Sequence, residues 1–384
     1  MFPQSSPGLR AGLCRIHNSK RKLRPRSSLA SPALTRRIVT SPKAPGREVR
    51  SLASGKVQSI MHRRQFLQVS STLGVSAAKA LADTPMPIST LGKSGLRISK
   101  YTVGGYHMRV KGEDEAVRIV HRAIELGVTM FDSAAKYHDG ASDEAYGKAL
   151  GASSSMRQKV HLMSKAEKRT KADAMLQLEN TLRRMKTDYL DLWCCHEVVT
   201  HAEVDKIFGP AGSLEAFVQA KKDGKVRHIG FTGHADPTVH QRLLDGYDGW
   251  ETVQHPVNCV DPHYLSFINS VMPNIRKKGL GLLAMKSNAM GPITKQNIAT
   301  IDECLRFTWT QDIDTLVSGA ETVDQLEHNV MVLKTLKKMS KAEMTKLLER
   351  TGKGPVGSKV ESYKLKEQAA GSFKKPAHQD GDPA

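Results

Sequence analysis

The sequence predicts a single (β/α)8 barrel of the TIM type, and the first reason is the regular spacing of short apolar runs. Such runs, bounded by polar residues and separated by helical patterns, are typical of parallel strands. They lie at 101–104, 128–133, 160–165, 189–196, 227–232, 251–257, 280–286 and 315–319. The alternation covers about 235 residues, a length that suits one barrel of eight strands and eight helices.

Helical periodicity between these runs is the second observation. Amphipathic patterns occupy residues 113–126, 172–185, 214–223 and 322–336. Residues 91–99 contain a Lys-Ser-Gly turn and predict a hairpin ahead of the barrel. A doubly wound open sheet is the alternative fold, but no glycine-rich dinucleotide fingerprint follows the first strand.

Four polar residues at the ends of neighbouring strands form the candidate catalytic group. Asp132 ends one apolar run, and Tyr137 follows it by five residues. Lys165 and His196 end the next two runs. Each residue alone has a structural explanation, such as a turn or a cap, but the active site of such a barrel lies at these strand ends. An acid, a phenol, an amine and an imidazole together indicate a proton-transfer enzyme.

These residue types suit the reduction of a carbonyl group. The carbonyl oxygen must gain a proton, and a phenol can donate it if its pKa falls from about 10 toward neutrality. Because an adjacent ammonium lowers the pKa of an acid by roughly 1–3 units, we expect Lys165 to act on Tyr137 in this way. Asp132 would hold the lysine in place. His196 would orient and polarise the substrate oxygen.

The segments that carry these residues resemble the aldo-keto reductase family. The likeness is strongest at 127–137, 142–150 and 188–196, and it recurs at 91–96, 224–231, 253–254 and 284–286. It extends from about residue 89 to residue 336. The resemblance implies a (β/α)8 barrel, Tyr137 as the proton donor, and Asp132, Lys165 and His196 as the rest of a catalytic tetrad.

The resemblance also implies a nicotinamide cofactor, with NADP(H) expected in preference to NAD(H). The residues at the matching cofactor positions are Thr232, Gln254, Met285, Lys286, Ser318, Gly319, Gln325 and Asn329. Family members often place a Lys and an Arg against the adenosine 2′-phosphate, where this chain has Gly319 and Gln325. The start of the predicted helix 322–336 is still available to a phosphate.

Two functions from different classes remain open. The first is an oxidoreductase that interconverts a small aldehyde, ketone or sugar and the corresponding alcohol. The second is a cofactor-binding sensor or regulatory subunit on the same barrel, with little turnover. The complete tetrad favours the enzyme, because a binding module does not need all four groups. The sequence indicates no oligomeric state.

The charge is distributed unevenly along the chain. The formal net charge is +20, but residues 83–330 contain 30 basic and 31 acidic side chains, so the excess lies in the two ends. We therefore expect no nucleic-acid partner for the barrel, which we assign to residues 83–336. Residues 337–384 are expected to form a basic tail, helical over about 334–348 and disordered from Gly352 onward.

The N-terminal region has the pattern of an export signal at residues 61–82. Arg63 and Arg64 precede a weakly apolar stretch and a small-residue cleavage site, as in a twin-arginine signal. The stretch is too short for a stable membrane anchor. We interpret residues 1–60 as a disordered, non-native upstream extension, with an organelle transit peptide as the alternative. The expected partner is the twin-arginine export machinery and the expected location is periplasmic or exported, or cytoplasmic if the signal is not used.

The five cysteines indicate neither a metal site nor a disulfide framework. Cys194 and Cys195 are adjacent, and the other three are scattered. His255 and His263 have no partners at ligand spacing. We therefore assign no metal.

Overall fold

A computed structural model of the chain describes residues 84–151 and 154–365. The predicted extension 1–60, the predicted signal 61–82 and the tail beyond residue 365 lie outside the described residues.

Eight parallel strands close into a barrel, as the apolar runs predicted. Each strand is hydrogen-bonded to its neighbours in sequence, and the last strand pairs with the first. The strands are β3 Tyr101–Gly104, β4 Met130–Asp132, β5 His161–Ala166, β6 Leu190–Cys195, β7 Val226–Thr232, β8 Thr252–Pro256, β9 Gly281–Met285 and β10 Thr315–Gly319. This arrangement confirms the predicted fold class.

Helices surround the barrel and bury their apolar faces against the outside of the sheet. The longer ones are Glu113–Glu125, Ala141–Leu150, Lys171–Met185, His201–Phe208, Ser213–Lys222, Pro237–Gly246, Ile301–Thr310, Val323–Lys334 and Lys341–Gly352. Short helices lie at Gly105–Met108, Ser154–Arg157, Phe267–Ser270, Met272–Lys277 and Pro292–Lys295. Within the described part of the chain, no helix combines the length and the apolar character needed to cross a membrane.

The predicted N-terminal hairpin is present and closes the bottom of the barrel. Its strands β1 Ile88–Thr90 and β2 Arg97–Ser99 pair antiparallel. Leu91 is fully buried and belongs to the cluster that fills the barrel interior. Gly92 has φ +44°, and a Cβ atom there would lie 2.1 Å from the backbone nitrogen of Gly281. The hairpin can approach the barrel this closely only because residue 92 is a glycine.

The C-terminal region departs from the predicted tail in two respects. The helix predicted over 334–348 begins instead at Lys341, because Ser340 and Glu343 form a capping box. Residues 355–365, predicted to be disordered, fold across the top of the barrel; we name this segment the C-terminal strap. The composition of the strap favours disorder in isolation, but buried contacts with the barrel fix its position.

A buried ionic cluster holds the C-terminal strap in place. Lys364 Nζ lies 2.8 Å from Asp261 Oδ1 and 2.7 Å from Glu361 Oε2, and all three side chains are 0% exposed. The same ammonium donates to the backbone oxygen of Tyr264. Leu365 N donates to the backbone oxygen of Ala235, beyond the end of β7. The strap therefore lies beside the strand ends where the candidate site was predicted.

Candidate active site

The barrel brings the four predicted catalytic residues to one end of three adjacent strands. Asp132 is the last residue of β4, and Tyr137 begins a 3-10 turn after it. Lys165 lies near the end of β5, and His196 follows β6 directly. Because parallel neighbours in a barrel end at the same rim, residues far apart in sequence meet there. All four line a single cavity of about 1330 Å³.

Lys165 lies at the centre of this group. Its ammonium donates to Asp132 Oδ1 and to the backbone oxygen of Ser133, the latter at 2.7 Å. Its Nζ lies 3.4 Å from the Tyr137 hydroxyl. Behind it, Ser133 Oγ donates to the buried carboxylate of Asp143. Helix Ala141–Leu150, which carries Asp143, thus fixes the backbone that holds Lys165.

Burial and charge act in opposite directions on the amine and on the phenol. Burial alone would lower the pKa of Lys165, but Asp132 beside it raises the pKa above its ordinary value. Burial raises the pKa of Tyr137 to about 12, although Lys165 opposes this change. The lowering toward neutrality expected from the sequence is therefore not observed, because desolvation of the phenolate outweighs the attraction of the ammonium.

His196 remains a neutral imidazole at the edge of the group. Burial, together with the ammonium groups of Lys165 and Lys136, holds the pKa of His196 well below its usual range. Its ring lies edge-on to Tyr137, with 5.5 Å between ring centroids. Its Nδ1 atom is buried and has no hydrogen-bond partner within the described residues. A neutral imidazole in this position can donate a hydrogen bond to a substrate oxygen.

Glu197 forms an ion-pair group that the sequence analysis missed. It follows His196 with φ +50°, and its backbone N–H donates to Thr232 Oγ1 at 3.0 Å. Its carboxylate pairs with Lys136 and lies 3.1 Å from His234 Nε2. The hydrogen bond from His234 and the pairing with Lys136 hold the pKa of Glu197 well below its usual range. The position of Glu197 at a strand end was the sequence feature that could have indicated a place in the site.

Tyr106, which the sequence analysis did not single out, also lines the cavity. Tyr106, which follows β3, is 47% exposed and lies edge-on to Tyr137 at 5.5 Å between ring centroids. The His138 ring stacks on Tyr106 at 4.8 Å. Aromatic edges at this rim can contact a flat or apolar substrate.

The eight predicted cofactor residues line the same cavity as the tetrad. They are Thr232, Gln254, Met285, Lys286, Ser318, Gly319, Gln325 and Asn329. The cavity runs from Tyr137 past the ends of β9 and β10 to the start of helix Val323–Lys334. Its length and its shared lining suit an extended ligand whose one end lies beside the tetrad.

The residues present fit a nicotinamide group beside the tetrad. Gln254 Oε1 is buried and has no hydrogen-bond partner among the described residues, as expected of an acceptor that awaits a ligand amide. Met285 lies at the end of β9 in the same cavity. Asn329 and Ser318 contact each other at 3.4 Å at the next strand end. The unpaired oxygen of Gln254 could accept a hydrogen bond from the carboxamide of a nicotinamide, and the thioether of Met285 could lie against the nicotinamide ring.

The far end of the cavity lacks the two cations that family members often place there. At Gly319 a Cβ atom would lie 2.3 Å from His107 Nδ1, so His107 occupies the space that a longer side chain would need. Gln325 Oε1 already accepts from the backbone N–H of Glu321. Arg350 lines the same cavity and pairs with Glu303 at 2.7 Å. The C-terminal helix thus supplies a guanidinium that the sequence analysis did not assign.

Comparison with known proteins agrees with this geometry. Residues 101–308 match the model of the aldo/keto reductase family. An L-galactose dehydrogenase of Arabidopsis thaliana is 24% identical over 312 residues, which cover 68% of this chain and 92% of that protein. An uncharacterized oxidoreductase of Bacillus subtilis, YqkF, is 29% identical over 154 residues, or 37% of this chain and 47% of that protein.

Solved structures share the fold. An aldo-keto reductase from Bacillus halodurans in its holo form has a TM-score of 0.60 at 21% identity, covering 72% of this chain and all of that one. One from Klebsiella pneumoniae, in complex with NADPH, has a TM-score of 0.58 at 20% identity, with coverage of 70% and 96%. The family match spans more than half of the sequence and the whole set of tetrad positions. This chain therefore belongs to the aldo/keto reductase family and is an NAD(P)-dependent oxidoreductase.

Proposed function

We propose that this protein interconverts a small aldehyde, ketone or sugar and its alcohol, with NADP(H) as cofactor and Tyr137 as the general acid and base. One observation carries the proposal. The Tyr137 hydroxyl lies 3.4 Å from an ammonium that Asp132 holds, in a cavity that His196 also lines. The named function of the Arabidopsis relative, L-galactose dehydrogenase, supports the inclusion of sugars.

The side chains divide the proton chemistry among them. When bound, the cofactor supplies a hydride to the carbonyl carbon. Because burial raises the pKa of Tyr137 to about 12, its phenol is protonated at neutral pH and can give its proton to the carbonyl oxygen. The ammonium of Lys165 then stabilises the phenolate that remains, and neutral His196 orients the substrate oxygen. Alcohol oxidation reverses these steps.

Replacing Tyr137 with Phe tests this assignment. We expect carbonyl reduction to fall by about 10²–10⁴-fold, the usual contribution of a general acid, while NADPH binding is retained. Steady-state assays on sugars and aromatic aldehydes, with fluorescence titration of NADPH, measure both quantities. Tyr189→Phe is the matched control, because Tyr189 lies between Arg157 and Arg227 and does not line the cavity.

Two outcomes would contradict the proposal. A Tyr137→Phe variant with wild-type turnover would exclude the phenol as proton donor. Tight NADPH binding by the wild type without turnover of any carbonyl in the panel would favour the alternative, a cofactor-binding sensor.

The preference for NADP(H) rests on Arg350. Gly319 and Gln325 carry no charge, whereas the guanidinium of Arg350 lines the same cavity. A hydrogen bond between charged groups contributes about 1.5–3 kcal/mol, so Arg350→Gln is expected to weaken NADPH binding at least about tenfold. NADH binding should not change. Arg306→Gln is the control, because Arg306 pairs with Glu343 and is absent from the cavity lining. Equal weakening of both cofactors would contradict the assignment.

Export by the twin-arginine route is the second part of the proposal. It rests on Arg63 and Arg64, the apolar stretch behind them and the small residues before Asp83. The near-neutral charge of residues 83–330 is compatible with a barrel that folds as a unit apart from its basic ends. The expected location is therefore periplasmic or otherwise exported.

A further inference from the structure

Lys286 carries a charge that no carboxylate neutralises within the described residues. It follows β9 directly, and its side chain lines the cavity between Met285 and Ser287. None of the ion pairs in the described part of the chain includes Lys286, although Lys136 and Lys165 in the same cavity are each paired. Burial lowers the pKa of Lys286 to about 8. A partly buried ammonium without a counter-ion is costly unless a ligand supplies one.

The neighbouring carboxylates are already engaged. Glu197 binds Lys136 through one oxygen and His234 through the other, at 3.1 Å. Asp132 binds Lys165. The tetrad end of the cavity thus contains three ammonium groups and two carboxylates. The excess positive charge belongs to Lys286.

The C-terminal strap determines where this ammonium points. Lys286 Nζ lies 4.8 Å from the centroid of the Tyr363 ring. Asn258 Nδ2 donates both to the backbone oxygen of Lys286 and to Glu361 Oε1 in the strap. The Tyr363 ring in turn lies 5.4 Å from His234, beyond the end of β7. Aromatic contact and the Asn258 bridge together hold the lysine in a left-handed backbone conformation at φ +57°.

The direction of the side chain separates Lys286 from the phosphate end of the cavity. Gln325 and Asn329 lie on the helix that follows β10, on one side of β9. Tyr363 and His234 lie against the ends of β7 and β8, on the opposite side of β9. Lys286 interacts electrostatically with Glu197, Lys136 and Lys165 near the tetrad, and also with His107 beside Gly319. Its contact with Tyr363 therefore places the ammonium on the β8 side of β9, toward the strands that carry the tetrad, where a substrate would bind.

We infer that Lys286, held against Tyr363 by the C-terminal strap, binds the carboxylate of an anionic carbonyl substrate. This inference rests on the proposed function and narrows its substrate class to oxo acids, including acidic sugars. A carboxylate at Lys286 would balance the excess charge and fix the carbonyl group relative to Tyr137. The Tyr106 ring in the same cavity would contact the uncharged part of the substrate.

Matched pairs of carbonyl compounds test the inference. The probes are 4-carboxybenzaldehyde against its methyl ester, and succinic semialdehyde against butanal. The wild type is expected to prefer the acid of at least one pair by about tenfold or more in kcat/KM, as a charge-assisted hydrogen bond allows. Lys286→Met should lower kcat/KM for the acid by a larger factor than for its neutral partner, so that the ratio between the two falls to about one. Lys286→Arg, which keeps the charge, should restore the preference in part.

Two further measurements keep the test independent of turnover and of folding. Calorimetric titration with 4-(hydroxymethyl)benzoate should show binding to the wild type and not to Lys286→Met, even if no carbonyl compound is reduced. Lys278→Met, at an ion pair with Asp248 away from the cavity, controls for loss of a lysine. Circular dichroism verifies that each variant is folded.

Two outcomes would overturn the inference. A wild type that shows no preference in either pair, and does not bind 4-(hydroxymethyl)benzoate, excludes a carboxylate site. Weaker NADPH binding by Lys286→Met, with equal losses for acidic and neutral substrates, would place the cofactor pyrophosphate at Lys286 instead. Failure of the proposed function alone would abolish turnover but leave the carboxylate binding intact.

Discussion

At the scale of single residues, Lys165 links the chemistry of the site to the stability of the fold. It is fully buried, and its ammonium contacts Asp132, Ser133 and Tyr137. We predict that Lys165→Met lowers carbonyl reduction by at least about 10²-fold, because the phenolate of Tyr137 loses its stabilising charge. Removing one partner of a buried ion pair should also lower the free energy of unfolding by about 3–5 kcal/mol.

The double variant Asp132→Asn/Lys165→Met separates these two effects. It removes both charges, so the free energy of unfolding measured in urea should recover much of its loss. Turnover should stay low, because the proton donor still lacks its ammonium. If the double variant regained turnover with stability, Lys165 would have a structural role alone.

The four tetrad residues could be predicted from the sequence, but the ion pairs that surround them could not. Asp132, Lys165 and His196 end apolar runs, and strand ends meet at one rim in any parallel barrel. The pairing of Glu197 with Lys136 depends instead on a left-handed backbone at Glu197, which no local pattern indicates. The raised pKa of Tyr137 likewise depends on how completely the cavity wall excludes water.

At the scale of secondary-structure elements, the buried histidine of β8 makes stability depend on pH. His255 is fully buried between the sheet and the short helix Phe267–Ser270, where it stacks on Phe267 at 5.4 Å. Burial lowers the pKa of His255 to about 4, from an ordinary value of 6.5. The unfolded chain therefore binds a proton more tightly than the folded one, and stability falls as pH drops below 6.5.

The size of this effect can be predicted for a single site. Between pH 7 and pH 5, protonation of His255 in the unfolded chain should lower the free energy of unfolding by about 2 kcal/mol. Urea denaturation at both pH values measures it. His255→Gln cannot titrate, so the difference between the two pH values should shrink by the same amount. An unchanged difference would assign the pH dependence to other groups.

The secondary-structure elements differ in how well the sequence pattern predicts them. The eight strands were predictable because each is a short apolar run with its own local boundaries. The helix at Lys341–Gly352 was placed too early, although Ser340 and Glu343 carry a capping signal that could have corrected it. The position of the C-terminal strap was not predictable. It depends on the contact of Lys364 with Asp261, which is 103 residues away in sequence, and the composition of the strap does not indicate that contact.

At the scale of the whole molecule, the export proposal predicts dependence on one arginine pair. Arg63→Lys/Arg64→Lys should leave the protein inside the cell at its precursor mass, because a twin-arginine signal requires both residues. Cell fractionation and intact-mass measurement check the outcome. The chain offers a matched control in a second pair, Arg36 and Arg37, whose replacement by lysine should not alter export.

The peptides recovered from the exported protein test the interpretation of residues 1–60. If translation starts at Met61, changes at Arg36 and Arg37 never reach the protein. Peptides from residues 1–60 in the exported protein would contradict that start, and export of the Arg63→Lys/Arg64→Lys variant would contradict the signal.

The position of the C-terminal strap along the chain fixes the order in which the site can be assembled during synthesis. Asp132, Tyr137, Lys165 and His196 leave the ribosome well before Glu361, Tyr363 and Lys364. A nascent chain that has made all eight barrel strands therefore has the tetrad without the wall that holds Lys286. Products truncated before the strap would retain the catalytic side chains on an incompletely closed pocket. The wall around Lys286 can therefore be complete only after nearly the whole described chain has been synthesised.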